Sequence, residues 1–213
     1  MFSGGKGYFW VNATAMLTET VLKKGGVVLN LPVQWTSEDD FYELCRINKT
    51  LRFERQGNGE VIVLPPVGLL TSVVGSRLSS QVGQWALKHG GVACSNGGFT
   101  LSNSSVKSPC IAWIVKDRWL ALPPEDRKKF APIVPDFVIE LMSEHDKLGE
   151  SQEKMMEWMD NGVRLGWLID PKQEKVFVYR PESLISIVEG FDKTVSGEEV
   201  LVGFELRLER LRV

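Results

Sequence analysis

Along the chain the spacing of hydrophobic positions switches between two periods, which predicts alternating helices and strands. Val27-Val28-Leu29-Asn30-Leu31 reads as a short strand. Thr36-Ser37 followed by Glu38-Asp39-Asp40 opens a helix, a hydroxyl cap ahead of an acidic first turn. Phe41, Leu44, Cys45 and Asn48 continue it at spacings of three and four. Leu51–Arg55 and Val61–Leu64, joined by Gln56-Gly57-Asn58-Gly59, read as a hairpin that Pro65-Pro66 stops. Val73, Val74, Leu78, Val82, Trp85 and Ala86 place one apolar face on a helix over residues 69–89, ended by Gly90-Gly91. Short strands follow near Val92–Cys94, Phe99–Leu101 and Cys110–Val115, with Ser102–Ser108 as a polar loop. Residues 116–131, with Pro123-Pro124, read as a charged surface linker.

The block after Pro135 is the most informative. Asp136–Met142 is mostly apolar and reads as a strand buried on both faces. Ser143 or Asp146 caps a helix over about 147–161, and Gly162 closes it. Leu165–Ile169 is a second buried strand, ended by Asp170-Pro171, and Val176–Tyr179 pairs back on it. Ile185–Val188, a turn at Ser196-Gly197 and Phe204–Leu211 complete the order. The fold class is therefore mixed α/β (α+β), with a strand–helix–strand unit at its centre. Residues 27–213 form a single domain, and residues 1–26, which begin with a glycine-rich stretch, are a flexible appendage outside it.

Glu140 interrupts an apolar strand, and a carboxylate there is costly to bury without a partner. Asp136 and Glu140 share a strand face but stand roughly 13 Å apart, too far to hold one ion. Lys154, about two turns into the next helix, is in reach of Glu140 if that helix folds back over the sheet. Two readings stand open. Carboxylates with a lysine are the minimum equipment for metal-assisted phosphodiester hydrolysis, and a Glu–Lys pair is also a common way to fasten a helix to a sheet.

Composition narrows this only a little. The chain has 213 residues, 25 Lys+Arg against 27 Asp+Glu and a formal charge of −2, so no strongly basic surface announces a polyanion partner. Cys45, Cys94 and Cys110 are widely spaced, and with His89 and His145 they make no zinc pattern. Reduced thiols, no secretory leader and no membrane-length apolar run point to a cytoplasmic protein.

Three stretches carry a resemblance: Pro135–Ser143, Lys154-Met155 and Asn161–Pro171. They resemble the Uma-type restriction endonuclease family of the PD-(D/E)XK superfamily, and the likeness runs from about Val27 to the C-terminus. It implies a restriction-endonuclease-like mixed sheet flanked by helices, with the helix and hairpin at the N-terminal side. It further implies a Mg²⁺-dependent (or Mn²⁺-dependent) DNA endonuclease, DNA as partner, and a homodimer or higher homo-oligomer. Glu140 would be a metal ligand and catalytic residue, and Lys154 the catalytic lysine, moved from the strand position now held by Met142 to the helix. Glu54 in the first hairpin is a further acidic metal candidate.

Two departures bear on activity. The aspartate that follows a proline on the earlier strand is Cys110 here, in Ser108-Pro109-Cys110, so the position of one metal ligand holds a thiol. Gly75 and Arg77 stand where the family's long helix offers polar and acidic groups. The expected function is therefore a DNA endonuclease impaired at Cys110. The alternative is a catalytically silent member that binds nucleic acid or assembles. Secondary candidates are Gln152, as a substrate contact, Asp136, as a ligand or as a turn residue, and Ser143, which orders its loop. His145 and Glu157 read as solvated, Cys110 lacks a histidine partner for nucleophilic work, and Trp119 and Trp158 read as partly exposed.

Overall fold

The computed structural model describes Leu22–Lys23, Gly26–Leu29 and residues 37–213, with side chains from residue 37 onward. The first elements are strands β1 (Leu22–Lys23) and β2 (Gly26–Leu29), helix α1 (Glu38–Ile47), strands β3 (Arg52–Arg55) and β4 (Val61–Leu64), and helix α2 (Leu69–His89). Strands β5 (Val92–Ser95), β6 (Phe99–Thr100), β7 (Val106–Lys107) and β8 (Ile111–Ile114) follow, then helix α3 (Lys116–Ala121). The last part holds β9 (Phe137–Leu141), α4 (Leu148–Asp160), β10 (Leu165–Asp170), β11 (Lys175–Tyr179), β12 (Ser186–Glu189), β13 (Thr194–Ser196) and β14 (Glu205–Arg207).

Among the described residues two larger sheets organise the molecule. The central one runs β12-β11-β10-β9-β8-β5, and the outer one runs β1-β2-β4-β3-β7-β6. In the central sheet β9 and β10 are parallel and every other neighbouring pair is antiparallel. A parallel pair needs a crossover, and α4 supplies it. All six residues of β10 are buried, as a strand covered on both faces requires. The restriction-endonuclease-like expectation of a mixed sheet flanked by helices matches this arrangement.

Side-chain alternation along β9 sets the two cores. Phe137 and Ile139 pack with Val74, Leu78, Val82 and Trp85 of α2. Val138 and Met142 face the other way and pack with Met155 and Trp158 of α4. Val74, Leu78 and Val82 are at most 2% exposed, so each stabilises the packing of α2 by ~1.5–3 kcal/mol.

The structure corrects several sequence expectations. The polar loop 102–108 contains β7, which is drawn into the outer sheet by Arg55 and Phe99–Thr100. The charged stretch 116–131 is not a bare linker but holds α3 and a 3₁₀ turn at Asp126–Lys128. Ser143 and Asp146 bond each other across a turn, and α4 starts at Leu148, with Lys147 at its N-cap and no side-chain cap bond. Strand β1 pairs with β2, while residues 1–21 and 24–25 of the expected appendage lie outside the described residues.

Candidate functional site

The site forms where the outer sheet meets α4 above β9. Antiparallel pairing sets Ile111 opposite Ile139, and Cys110, just before β8, lies close enough to Glu140 to feel its charge. Glu140 shares its strand face with Val138 and Met142, so it points toward α4. From the outer sheet β3 contributes Glu54, only 4% exposed. The Lys154 ammonium joins the two carboxylates: Nζ lies 2.8 Å from Glu54 Oε1 and 3.0 Å from Glu140 Oε1.

Neighbouring groups complete these contacts. The Ser108 backbone N–H donates to Glu54 Oε1 at 3.1 Å. Trp158 Nε1 donates to Glu140 Oε1 at 2.8 Å, one turn along α4 from Lys154. Burial raises the Glu140 pKa, and the Lys154 charge only partly offsets this, so the carboxyl sits above its ordinary value. Burial alone would lower the Lys154 pKa, but the charges of Glu140 and then Glu54 outweigh it. The ammonium is therefore held firmly protonated.

Cys110 stands beside this triad rather than within it. Its sulfur turns toward α2, where a Cβ on Gly75 would lie 3.6 Å from Sγ and 3.7 Å from Leu141 Cδ2. Burial, reinforced by the Glu140 charge, pushes the Cys110 thiol up to about 12, with Arg52 and Lys154 pulling weakly the other way. The thiol is neutral at pH 7.

The residues present do not fit a magnesium ion. Mg²⁺ demands near-octahedral oxygen ligands, and a protonated thiol offers neither charge nor hard oxygen. One oxygen of each carboxylate already binds the ammonium. Gly75 adds no donor, and among the described residues no set of three His, Cys, Asp or Glu side chains could hold a metal ion.

Other candidates lie elsewhere. Asp136, at the far end of β9, is 2% exposed; it accepts from the Val115 N–H and pairs with Arg118 at 2.9 Å and Arg164 at 3.7 Å. It fastens strand ends together and is not joined to the Glu140 cluster. Gln152 lines an open groove of about 670 Å³ along α4 with Met156, Asp160 and Ile185, away from Glu140 and Lys154. Ser143 sits in the turn after β9, where its N–H donates to Asp146. Arg77 donates to the carbonyls of Arg210 and Arg212, so it ties α2 to the C-terminal segment and does not face Cys110.

Two further expectations are overturned. Glu157 is not solvated: it pairs at 2.9 Å with Lys107, which is 2% exposed, and accepts from Asn103 Nδ2 at 3.1 Å. Trp158 is not partly exposed but fully buried, because its ring fills the core beneath α4.

Sequence reasoning missed Arg52 and Trp158. Arg52 lies two residues before Glu54, hence on the same strand face, and its Nη2 donates to Asn96 Oδ1 at 3.1 Å beside Cys110. Trp158 follows Lys154 by four residues, a spacing that puts both on one helix face. The i,i+4 relation was the available signal for the second, and strand alternation for the first.

Comparison with known proteins bears on this geometry. The family Uma2, described as "Putative restriction endonuclease", matches residues 38–209. The chain belongs to this family. A solved structure described as a "putative nuclease belonging to DUF820" from Anabaena variabilis ATCC 29413 superposes with a TM-score of 0.64 at 23% identity, covering 75% of this chain and 88% of that one. At that identity the likeness shows the fold. No curated protein matches the chain. The family match spans Glu54, Cys110, Glu140 and Lys154 alike.

Proposed function

We propose that this chain engages DNA through a phosphodiester-hydrolysing site of the restriction-endonuclease type, and that its divalent-metal chemistry is severely weakened. Family membership supports a nuclease. The observation that carries the weakened reading is Cys110 beside Glu140, a neutral thiol near the carboxylate where the family resemblance implies an anionic ligand. Glu54, Glu140 and Lys154 persist as a charged cluster, which supports descent from a working site.

The residues themselves have definite roles in this reading. Lys154 and Arg52 place positive charge near the cluster, which favours approach of a phosphodiester. Ser108 N–H and Trp158 Nε1–H orient the two carboxylates. Full silence with retained DNA binding is a second reading, favoured by Gly75 leaving the α2 side without a donor.

Calorimetric titration of Mg²⁺ tests the proposal. The wild type is expected to bind weakly and Cys110→Asp more tightly, because a hard anionic oxygen replaces a soft thiol. Equal affinity of the two proteins would overturn the role given to position 110.

A further inference from the structure

Lys154 is engaged from both sides by its two carboxylates. Its Nζ approaches Glu54 Oε1 at 2.8 Å and Glu140 Oε1 at 3.0 Å, so one ammonium bridges a strand of the outer sheet and a strand of the central sheet. Its helix has little freedom to withdraw it. Met155 and Trp158, adjacent to it in sequence and one turn away, are both fully buried. The next turn is fastened in the opposite sense, with Glu157 on α4 bonded to Lys107 of β7 at 2.9 Å. Lys154 thus reaches the outer sheet as a cation, while three residues later the same helix reaches it as an anion.

From this geometry we infer that the Lys154 ammonium is the resident cation of the site, held between Glu54 and Glu140, and that it competes with a divalent ion for them. The inference rests on the proposed reading that Glu54 and Glu140 belong to the hydrolytic site. Two carboxylates carry two negative charges and the ammonium cancels one of them. An arriving dication would meet a positive charge within a few ångströms, bound to the oxygens it needs. In a site with a third carboxylate the excess negative charge could hold ion and lysine together. Here that place belongs to Cys110, whose sulfur is turned toward Gly75, so lysine and metal become alternatives.

The consequence separates metal binding from metal chemistry. Removing the ammonium should strengthen binding of a divalent ion while leaving cleavage absent, because the cation that would assist the reacting phosphate is lost with it. A lysine acting only as a helper gives the opposite result, with metal affinity unchanged or reduced.

The test is calorimetric titration of Mn²⁺ into wild type, Lys154→Met, Lys154→Gln, Lys154→Arg and Cys110→Asp, with circular dichroism to verify folding. Lys154→Met and Lys154→Gln are expected to bind Mn²⁺ about tenfold or more tightly than wild type, a difference of ~1.4 kcal/mol. Lys154→Arg keeps the charge and should stay near wild type. The glutamine variant retains a hydrogen bond to one carboxylate, so it reports even where the methionine variant does not fold. Unchanged or weaker Mn²⁺ binding in a folded neutral variant overturns the competition. If Cys110→Asp gains affinity in that same series, the site reading stands and only the lysine inference fails. If no variant binds Mn²⁺, both fail.

Discussion

Trp158 donates its indole N–H to Glu140 Oε1 at 2.8 Å, from a ring that is fully buried. A buried carboxylate interrupting an apolar strand is tolerable only when its oxygens are engaged, and this bond and Lys154 engage the same one. Trp158→Phe keeps an aromatic body and deletes the donor. A hydrogen bond to a charged group contributes ~1.5–3 kcal/mol, so urea unfolding of the variant should show a loss of at least that size. A loss under ~0.5 kcal/mol, the range of surface substitutions, would mean that the bond does not anchor Glu140.

The Lys107–Glu157 pair should govern acid stability. Burial tends to raise the Glu157 pKa, but the charge and hydrogen bond of Lys107, with Asn103 and Ser105, outweigh it and hold the folded value below the ordinary one. A depressed carboxylate contributes stability that is fully present above its unfolded value of ~4.3 and is lost as pH falls through the folded value. Glu157→Gln should therefore lower the melting temperature at pH 7, and the gap to wild type should close as pH falls below about 4. A gap that is constant with pH would assign the effect to shape rather than charge.

Gly75 lies mid-helix in α2, where a Cβ would make ordinary contacts at 3.6 Å and 3.7 Å. Gly75→Ala should raise stability by ~0.5–1 kcal/mol, since glycine in a helix interior carries excess unfolded-state freedom. Denaturant midpoints check this, and a decrease would show that Cys110 and Leu141 pack more tightly against α2 than these distances imply.

Strand β12 pairs only with β11 among the described strands and exposes Ile187 at 52%, beside Leu184 at 93%. An apolar sheet edge invites pairing, and a two-fold dimer closes it with one self-complementary contact. Light scattering should give twice the 23.9 kDa chain mass at micromolar concentration, and Ile187→Lys should return it to one. A wild-type particle of single-chain mass would contradict this.

The α2 stripe, the first hairpin and the β9–α4–β10 unit were legible because each carries a period long enough to read. Glu140 and Lys154 were legible for the same reason, one breaking an apolar run and the other set two turns into the next helix. Glu54 came only by resemblance, because a carboxylate in a hairpin is unremarkable until the outer sheet folds onto α4. Glu157 was misread since its partner Lys107 is 50 residues distant, in a stretch whose two-residue strand β7 is too short to show alternation. Cys110, like Glu54, came only by resemblance, which gave its place before β8 but not its orientation. Its sulfur turns toward α2 because Gly75 leaves room there, a tertiary fact that no local pattern encodes.

Plasmid cleavage decides the central claim about Cys110 and Glu140. Supercoiled DNA should be incubated with wild type, Glu140→Ala, Cys110→Asp, Cys110→Asp/Glu140→Ala and Cys110→Asp/Lys154→Met, with Mg²⁺ and separately with Mn²⁺. The wild type is expected to nick slowly or not at all, and Cys110→Asp to gain activity. Glu140→Ala in that background should abolish the gain, and Lys154→Met should reduce it sharply. Vigorous cleavage by the wild type that survives Glu140→Ala would contradict the assignment of the site.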